Sequence, residues 1–289
     1  MATGYLHRSG KTILDSNNSV IKLRGIWAAC YTWSNPPWTG WITQAMIQTT
    51  LAGAGDNFFK VDAIPWGAFE TSPGTYTGNG ILTIMDQLAQ WCQGAKMYFT
   101  LRFNTFSGND YGISAGPGST WPSYLHTGDS SNTFEAGFYS GTGSGRNTAY
   151  DDARTDFSNM LAFLANRYKN NPYVLIGMQN EPGNPNGGSN FTSANYASVC
   201  SAFYTAIYAT GYSNLVLVEH PWCNYGNSNP TDITGANVVW EGDAYIQPNT
   251  NPTLAAWQTA VTNYFITPYM TNLNRPFILS EWGILNSSW

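Results

Sequence analysis

Short apolar runs separated by longer stretches with helical spacing constrain this chain more than any other feature. The runs are 21–28 (IKLRGIWA), 58–64 (FFKVDAI), 96–102 (KMYFTLR), 173–179 (YVLIGMQ), 214–219 (NLVLVE), 237–242 (NVVWEG) and 276–280 (PFILS). Between them, segments such as ILTIMDQLAQWCQ, YDDARTDFSNMLAFLANRYKNN and NYASVCSAFYTAIYATG repeat apolar residues every three or four positions, the spacing of helices with one buried face. Largely apolar strands alternating with helices indicate a parallel sheet covered by helices, an α/β architecture. The length of 289 residues suits a single α/β barrel, typically ~250 residues. No repeat, low-complexity tract or linker divides the chain, so residues 1–289 read as one domain. Its first 20 residues form an N-terminal hairpin in which DSNNS is the connection. Segment 103–150 is different: long, aperiodic and rich in Gly, Ser, Asn and aromatics, it follows the end of a strand, where binding loops gather.

Composition removes several function classes. Charged residues make up 10% of the chain, against roughly 25% in ordinary soluble proteins. Tyr, Trp, Asn, Ser, Thr and Gly supply the polar surface instead, which suits a secreted protein. With a net charge of −5 and no Lys/Arg cluster, there is no electrostatic footprint for nucleic acid. No run reaches the ~18 apolar residues of a membrane span. MATGYLHRSG lacks the basic start and apolar core of a signal peptide; if the protein is exported, this chain is its mature form or carries an added start Met. The four cysteines (Cys30, Cys92, Cys200, Cys223) are too scattered for a zinc site. Cys92 and Cys200 lie in helical stretches as small buried thiols, while Cys30 and Cys223 follow strand runs and are left open as bridged or unbridged.

Two strand runs end in the same unusual way. VLIGMQNEP (174–182) closes on Asn180-Glu181-Pro182, and PFILSEWG (276–283) closes on Glu281. In a parallel barrel that end of the strands carries the chemistry, and two carboxylates on different strands can face each other across the mouth. A separation of ~5–5.5 Å would suit a retaining glycosidase and ~6.5–9.5 Å an inverting one. Asn180 is placed to donate a hydrogen bond to a sugar 2-hydroxyl, and Pro182 stops the strand. A Glu at the end of one strand is ordinarily a solvated residue; the paired contexts point instead to catalysis.

The hairpin leading into LRGIW, the helix MLAFLANRYKNNP, then VLIGMQNEP and FILSEWG, resemble glycoside hydrolase family 5 in order over almost the whole chain. That is a cellulase and mannanase family of barrel retaining glycosidases. The resemblance implies Glu181 as the acid/base after the fourth strand and Glu281 as the nucleophile after the seventh. It also implies Asn180 as the 2-hydroxyl partner, Tyr245 as the tyrosine that orients the nucleophile and Trp222 as a sugar platform. No metal or organic cofactor is implied. Three positions depart from the family. Lys60 or Asp62 stands where the second strand usually ends in Arg, and Arg102 and Asn104 where His usually follows the third. Asp243 in GDAY replaces the His two residues before the Tyr. These changes imply a rebuilt charge network around the nucleophile, with Arg102 serving for the strand-two Arg; Arg102, Asn104 and Asp243 are counted among the substrate-binding residues. The family's eighth strand and the helices beside it have no counterpart in this sequence, so a missing C-terminal segment or a second chain is expected to complete the barrel.

Aromatic residues crowd the expected loops: AACYTWSNPPWTGW (28–41), STWPSYLH (119–126) and HPWCNYG (220–226). Indole faces stack on pyranose rings, and Trp33, Trp38 and Trp222 are expected to do so, with Trp282 counted beside them as substrate-binding. His126 and His220 have no context that makes either a catalytic base. The combined expectation is a secreted retaining β-glycoside hydrolase acting on a polysaccharide, an endo-β-1,4-glucanase before a mannanase or other β-glucanase. The rival from another class is a non-catalytic carbohydrate-binding or structural protein on a degenerate barrel.

Overall fold

Among the described residues, seven of nine strands form one parallel sheet whose order in space is their order in sequence. The computed structural model describes residues 4–29, 42–76, 80–104, 121–122, 124–125, 137–139, 148–180, 182, 192–221, 224, 226–246 and 253–284. After a small antiparallel pair, β1 (His7–Ser9) and β2 (Thr12–Leu14), the sheet runs through β3 (Gly25–Ala29), β4 (Phe58–Pro65), β5 (Tyr98–Asn104) and β6 (Val174–Gln179). It ends with β7 (Val216–Glu219), β8 (Val238–Ile246) and β9 (Phe277–Ile284). Every expected strand run lies within or over one of these seven. The described helices include α1 (Trp66–Phe69), α2 (Ile81–Ala95), α3 (Thr148–Tyr168), α4 (Ser193–Ala209) and α5 (Leu254–Val261), the last continuing as a π-helix over Thr262–Asn272.

The sheet curls until its edge strands border one cavity of about 420 Å³, lined by Gly25, Ile26 and Trp27 of β3 and Ile278, Leu279 and Ser280 of β9. Among the described residues no ladder joins β3 to β9. The fold is therefore a nearly closed α/β barrel in which seven strands are described, with a slot between β3 and β9.

The two faces of the sheet carry different cargo. Outward residues such as Phe59, Val61, Phe99, Leu101, Val174, Ile176, Val216, Val218, Val238 and Trp240 join the helices in one large core. In α2, Ile81, Met85, Leu88, Ala89 and Cys92 supply the buried stripe at helical spacing. In α4 the Thr192 side chain accepts from Asn195 N at 3.2 Å and satisfies one orphan amide of the first turn. Inward residues are layered instead. The lower layer is apolar: Phe58, Tyr98, Leu175, Leu215, Leu217, Val239 and Ile278 pack with Leu6 and Ile13 of the N-terminal segment.

That segment is latched across the lower end of the barrel by long-range bonds. Leu6 N donates to Asn214 Oδ1 at 2.9 Å, Tyr5 Oη to Lys169 O at 2.8 Å and Arg8 Nε to Ala236 O at 2.7 Å. The hairpin is tighter than the sequence reading gave. Gly10, at φ +56°, and Lys11 make the turn between β1 and β2. DSNNS makes a second turn, in which Asp15 Oδ1 accepts from Asn17 N and Ser19 N, both at 2.9 Å, and Leu14 bridges Val20.

Above the apolar floor the inward positions become charged, and there the ladders are irregular. Register shifts occur between Val61 and Ile64, between Leu101 and Phe103 and between Gly242 and Asp243. An extra residue in one strand bends it and re-aims its side chains, a device common beside active sites. At the same level Gly177 has no Cβ for a steric reason: one would stand 2.6 Å from Arg102 Cγ and 2.7 Å from Leu101 O. The absence of a side chain on β6 is what lets Arg102 cross the interior.

Two outcomes follow from these contacts. Gly177→Ala should cost about 1–3 kcal/mol in urea denaturation, because the neighbours that must yield are a side-chain stem and a backbone oxygen. Glu70 is buried at the end of α1, accepting from Trp66 Nε1 at 2.7 Å and Gly74 N at 3.0 Å; burial, aided by Asp156, pushes its carboxyl up to about 7 from 4.5. A raised folded-state value favours folding fully below pH 4.5 and loses that benefit as pH rises to about 7. Glu70→Gln should therefore flatten the pH dependence of stability over that window, as read by urea denaturation from pH 4 to pH 8, and lose one of the two accepted bonds at every pH.

Candidate active site

The charged layer is built from four strands around one guanidinium. Arg102 on β5 is fully buried. It grips Asp62 of β4 through two bonds, Nε to Oδ1 at 2.5 Å and Nη2 to Oδ2 at 2.8 Å. Its Nη1 also donates to Glu219 at the end of β7 and stands 3.2 Å from Glu241 of β8. Nη2 reaches Glu281 Oε1 of β9 at 3.4 Å and lies 3.9 Å from Asp243. Lys60, two residues before Asp62 on the same inward face, sets its Nζ 2.5 Å from Asp62 Oδ2 and 3.3 Å from Glu281 Oε1.

The other oxygen of Glu281 accepts from the Tyr245 hydroxyl. Each Glu281 oxygen thus has its own partners: Oε1 faces the two cations and Oε2 the phenol. Asp243 opposes Glu281 across the β8–β9 ladder and accepts from Ser280 Oγ at 2.6 Å. Asn180, one residue past β6, is held by its backbone N–H donating to Phe103 O at 2.9 Å. Its side chain is buried, and among the described residues its Oδ1 has no hydrogen-bond partner.

Five carboxyls share two cations here, too few to neutralise them, and burying the excess negative charge is costly. The carboxyls respond differently. Burial alone would raise Asp62, yet Arg102 and Lys60 hold it well below the usual carboxylate range. Burial pushes Glu281 well up, with Asp243 and Asp62 adding to the rise and Lys60 opposing it. Asp62 and Glu281 both face the Lys60 ammonium, at 2.5 Å and 3.3 Å. Glu219 is also driven well up by burial, with Arg102 opposing and Asp243 adding. Glu241 is raised by burial against Arg102 and Lys60, and neither of its oxygens has a hydrogen-bond partner among the described residues.

Of the residues expected from the sequence, the structure brings Glu281, Tyr245, Arg102 and Asp243 into this network and Asn180 to the end of the neighbouring strand. The rebuilt charge network is present: Arg102 from β5 and Lys60 from β4 both reach Glu281. Arg102 has no exposed surface, so it lies beneath the mouth rather than at it. Trp282 is 69% exposed and lines the slot between β3 and β9. His220 is buried with Nδ1 2.8 Å from Tyr269 Oη, and burial pushes it down to about 3, so it stays neutral. Glu181, Trp222, Trp33, Trp38 and His126 lie outside the described residues, as does the side chain of Asn104.

The sequence reading did not single out Glu219 and Glu241. Their signal was an acid inside an otherwise apolar strand run, at the same inward parity as Leu217 and Val239. Among the described residues no group of three or more His, Cys, Asp or Glu side chains is arranged to hold a metal ion.

Comparison with known proteins agrees with this architecture. An endogalactoceramidase structure superposes with a TM-score of 0.74 at 15% identity, covering 98% of this chain and 69% of that one. The catalytic domain of an endoglucanase from Thermobifida fusca gives 0.62 at 16%, covering 97% and 74%. Endo-glycoceramidase II from a Rhodococcus species, in complex with ganglioside GM3, gives 0.67 at 16%, covering 94% and 69%. No curated protein sequence matches the chain. The family model described as Cellulase (glycosyl hydrolase family 5) matches residues 14–289, and the chain belongs to that family of glycoside hydrolases.

Proposed function

We propose that this chain is a retaining β-glycoside hydrolase, with Glu281 as nucleophile and Glu181 as acid/base, acting on a polysaccharide. The observation that carries this reading is the setting of Glu281. It stands in the carboxyl half of β9, one oxygen against two cations and the other against Tyr245. Such fixed partners orient a carboxylate without reorganisation when charge moves, which is where enzymes gain most. In this reading Glu281 attacks the anomeric carbon while Glu181 protonates the departing oxygen. Glu181, then ionised, takes a proton from water, and the hydroxide displaces Glu281 to release the sugar. Asn180 donates to the 2-hydroxyl.

An internally cleaved β-1,4-glucan is the leading substrate, on the strength of the aromatic residues in the loop segments and of exposed Trp282. A glycolipid headgroup is the second reading, because two of the superposed structures are glycoceramidases.

The deciding assay measures product release from carboxymethylcellulose, mannan, xylan, mixed-linkage glucan and ganglioside GM3. Glu281→Ala should lower kcat by about 10⁴-fold or more on the active substrate, and Glu181→Ala by ~10²–10⁴-fold. Parental rates in either variant would remove the assignment; binding without release in the parent would favour the non-catalytic alternative. Tyr245→Phe removes one hydrogen bond to a charged group, worth about 1.5–3 kcal/mol. It should lower kcat ~10- to 100-fold with the fold intact, as read by kinetics and circular dichroism.

A further inference from the structure

The network contains a cation whose position only the catalytic reading makes meaningful. Lys60 Nζ is 1% exposed and is wedged between two carboxylates on different strands, Asp62 at 2.5 Å and Glu281 at 3.3 Å. Arg102 already satisfies both oxygens of Asp62. Asp62 therefore has no need of a second buried cation for its own neutralisation, whereas Glu281 has every need of one. It is surrounded by Asp62 from β4, Glu219 from β7 and Asp243 and Glu241 from β8. The groups that oppose them are Lys60 from β4 and Arg102 from β5, with the Tyr245 hydroxyl from β8.

Arg102 donates to Asp62, Glu219 and Glu281 and stands within ion-pair distance of Glu241 and Asp243. Lys60 contacts two of them, Asp62 and Glu281. A nucleophilic carboxylate must shed its proton before it can attack, and the neighbouring acids oppose that loss while a nearby cation favours it.

We propose that Lys60 is a positioning residue for Glu281, its ammonium bridging Glu281 to Asp62 and favouring the ionised carboxylate that attacks. The ammonium already joins the two carboxylates through Nζ, and the ionised form of Glu281 strengthens that bridge. Lys60 touches neither substrate nor reacting carbon; it acts through Glu281. This inference rests on the reading of Glu281 as nucleophile.

The test is the acid limb of the kcat/KM profile, which reports the free enzyme's essential base. It is measured on the substrate found active, for the parent, Lys60→Met and Lys60→Arg, with Glu281→Ala alongside. An opposite charge within about 4–6 Å moves a carboxyl by 1–3 pH units. Lys60→Met should accordingly shift the limb upward by about one unit or more, and Lys60→Arg, which keeps the charge, should restore most of it. A change that merely loosened packing would lower the rate at every pH and leave the limb in place.

If Glu281→Ala is inactive while folded Lys60→Met keeps the parental limb, the role of Lys60 is overturned and the nucleophile stands. If Glu281→Ala is active, the nucleophile falls and this proposal with it. Should circular dichroism show Lys60→Met unfolded, the parent protein labelled with [δ-¹³C]glutamate decides, with signals assigned by loss in Glu219→Gln, Glu241→Gln and Glu281→Gln. Glu281 should then ionise at lower pH than Glu219 and Glu241, which share its burial and Arg102 but feel the Lys60 charge at longer range. The reverse order would overturn the proposal.

Discussion

Arg102 is the constraint around which the interior is organised. A guanidinium cannot shed its proton, so enclosing one obliges the structure to surround it with acceptors. The acceptors come from β4, β7, β8 and β9, with Asp62 gripping the planar fork through two parallel bonds. Such bidentate pairs fix orientation as well as charge. One side chain from β5 thereby ties four other strands together at a single level. Gly177 on β6 accommodates the stem of that side chain by having nothing in its path.

This arrangement divides labour along the barrel axis. The outward face, packed under helices, and the apolar floor sealed by Leu6 and Ile13 supply the burial that stabilises the fold. The charged layer above them is poor stabilising material, since buried ion pairs often do no better than apolar groups of the same shape. Its value lies in fixing Glu281. Local rules are commonly broken at functional sites and compensated elsewhere, and here the compensation is spatially separate from the breach.

Much of this was legible in the sequence, and the limits have physical causes. The seven strands were readable because strands covered by helices on one side and packed against one another on the other become apolar runs. The inward layer was readable in principle from a period of two: Phe58, Lys60 and Asp62 share one face, as do Tyr98, Thr100 and Arg102, and Leu217 and Glu219. Val239, Glu241, Asp243 and Tyr245 follow the same rule. Glu281 breaks it. Counting from inward-facing Ile278, position 280 should point inward and 281 outward; the extra residue in β9 brings Glu281 opposite Asp243 instead. No propensity scale records such a shift, so the motif FILSEWG identified Glu281 where periodicity would have misplaced it. Glu219 and Glu241 failed to stand out for a related reason: the significance of an acid in an apolar run depends on which cation another strand delivers to it.

The two cations are not interchangeable, and their difference explains why both are present. Arg102 lies within ion-pair distance of five carboxyls because its nitrogens fan out in a plane, but its hydrogen bonds go to only three of them, Asp62, Glu219 and Glu281. Lysine concentrates the same charge on one small group that fits between two carboxylates without displacing either. The fork therefore holds the layer together, while the point charge acts where the balance between Asp62 and Glu281 is decided. Tyr245 completes the division by donating to the oxygen of Glu281 that the cations do not face. A carboxylate that must first carry charge and then share it with a sugar carbon needs one oxygen anchored while the other's electron density changes. The opposed partners of Oε1 and Oε2 meet that need, which an even distribution of the same three groups would not.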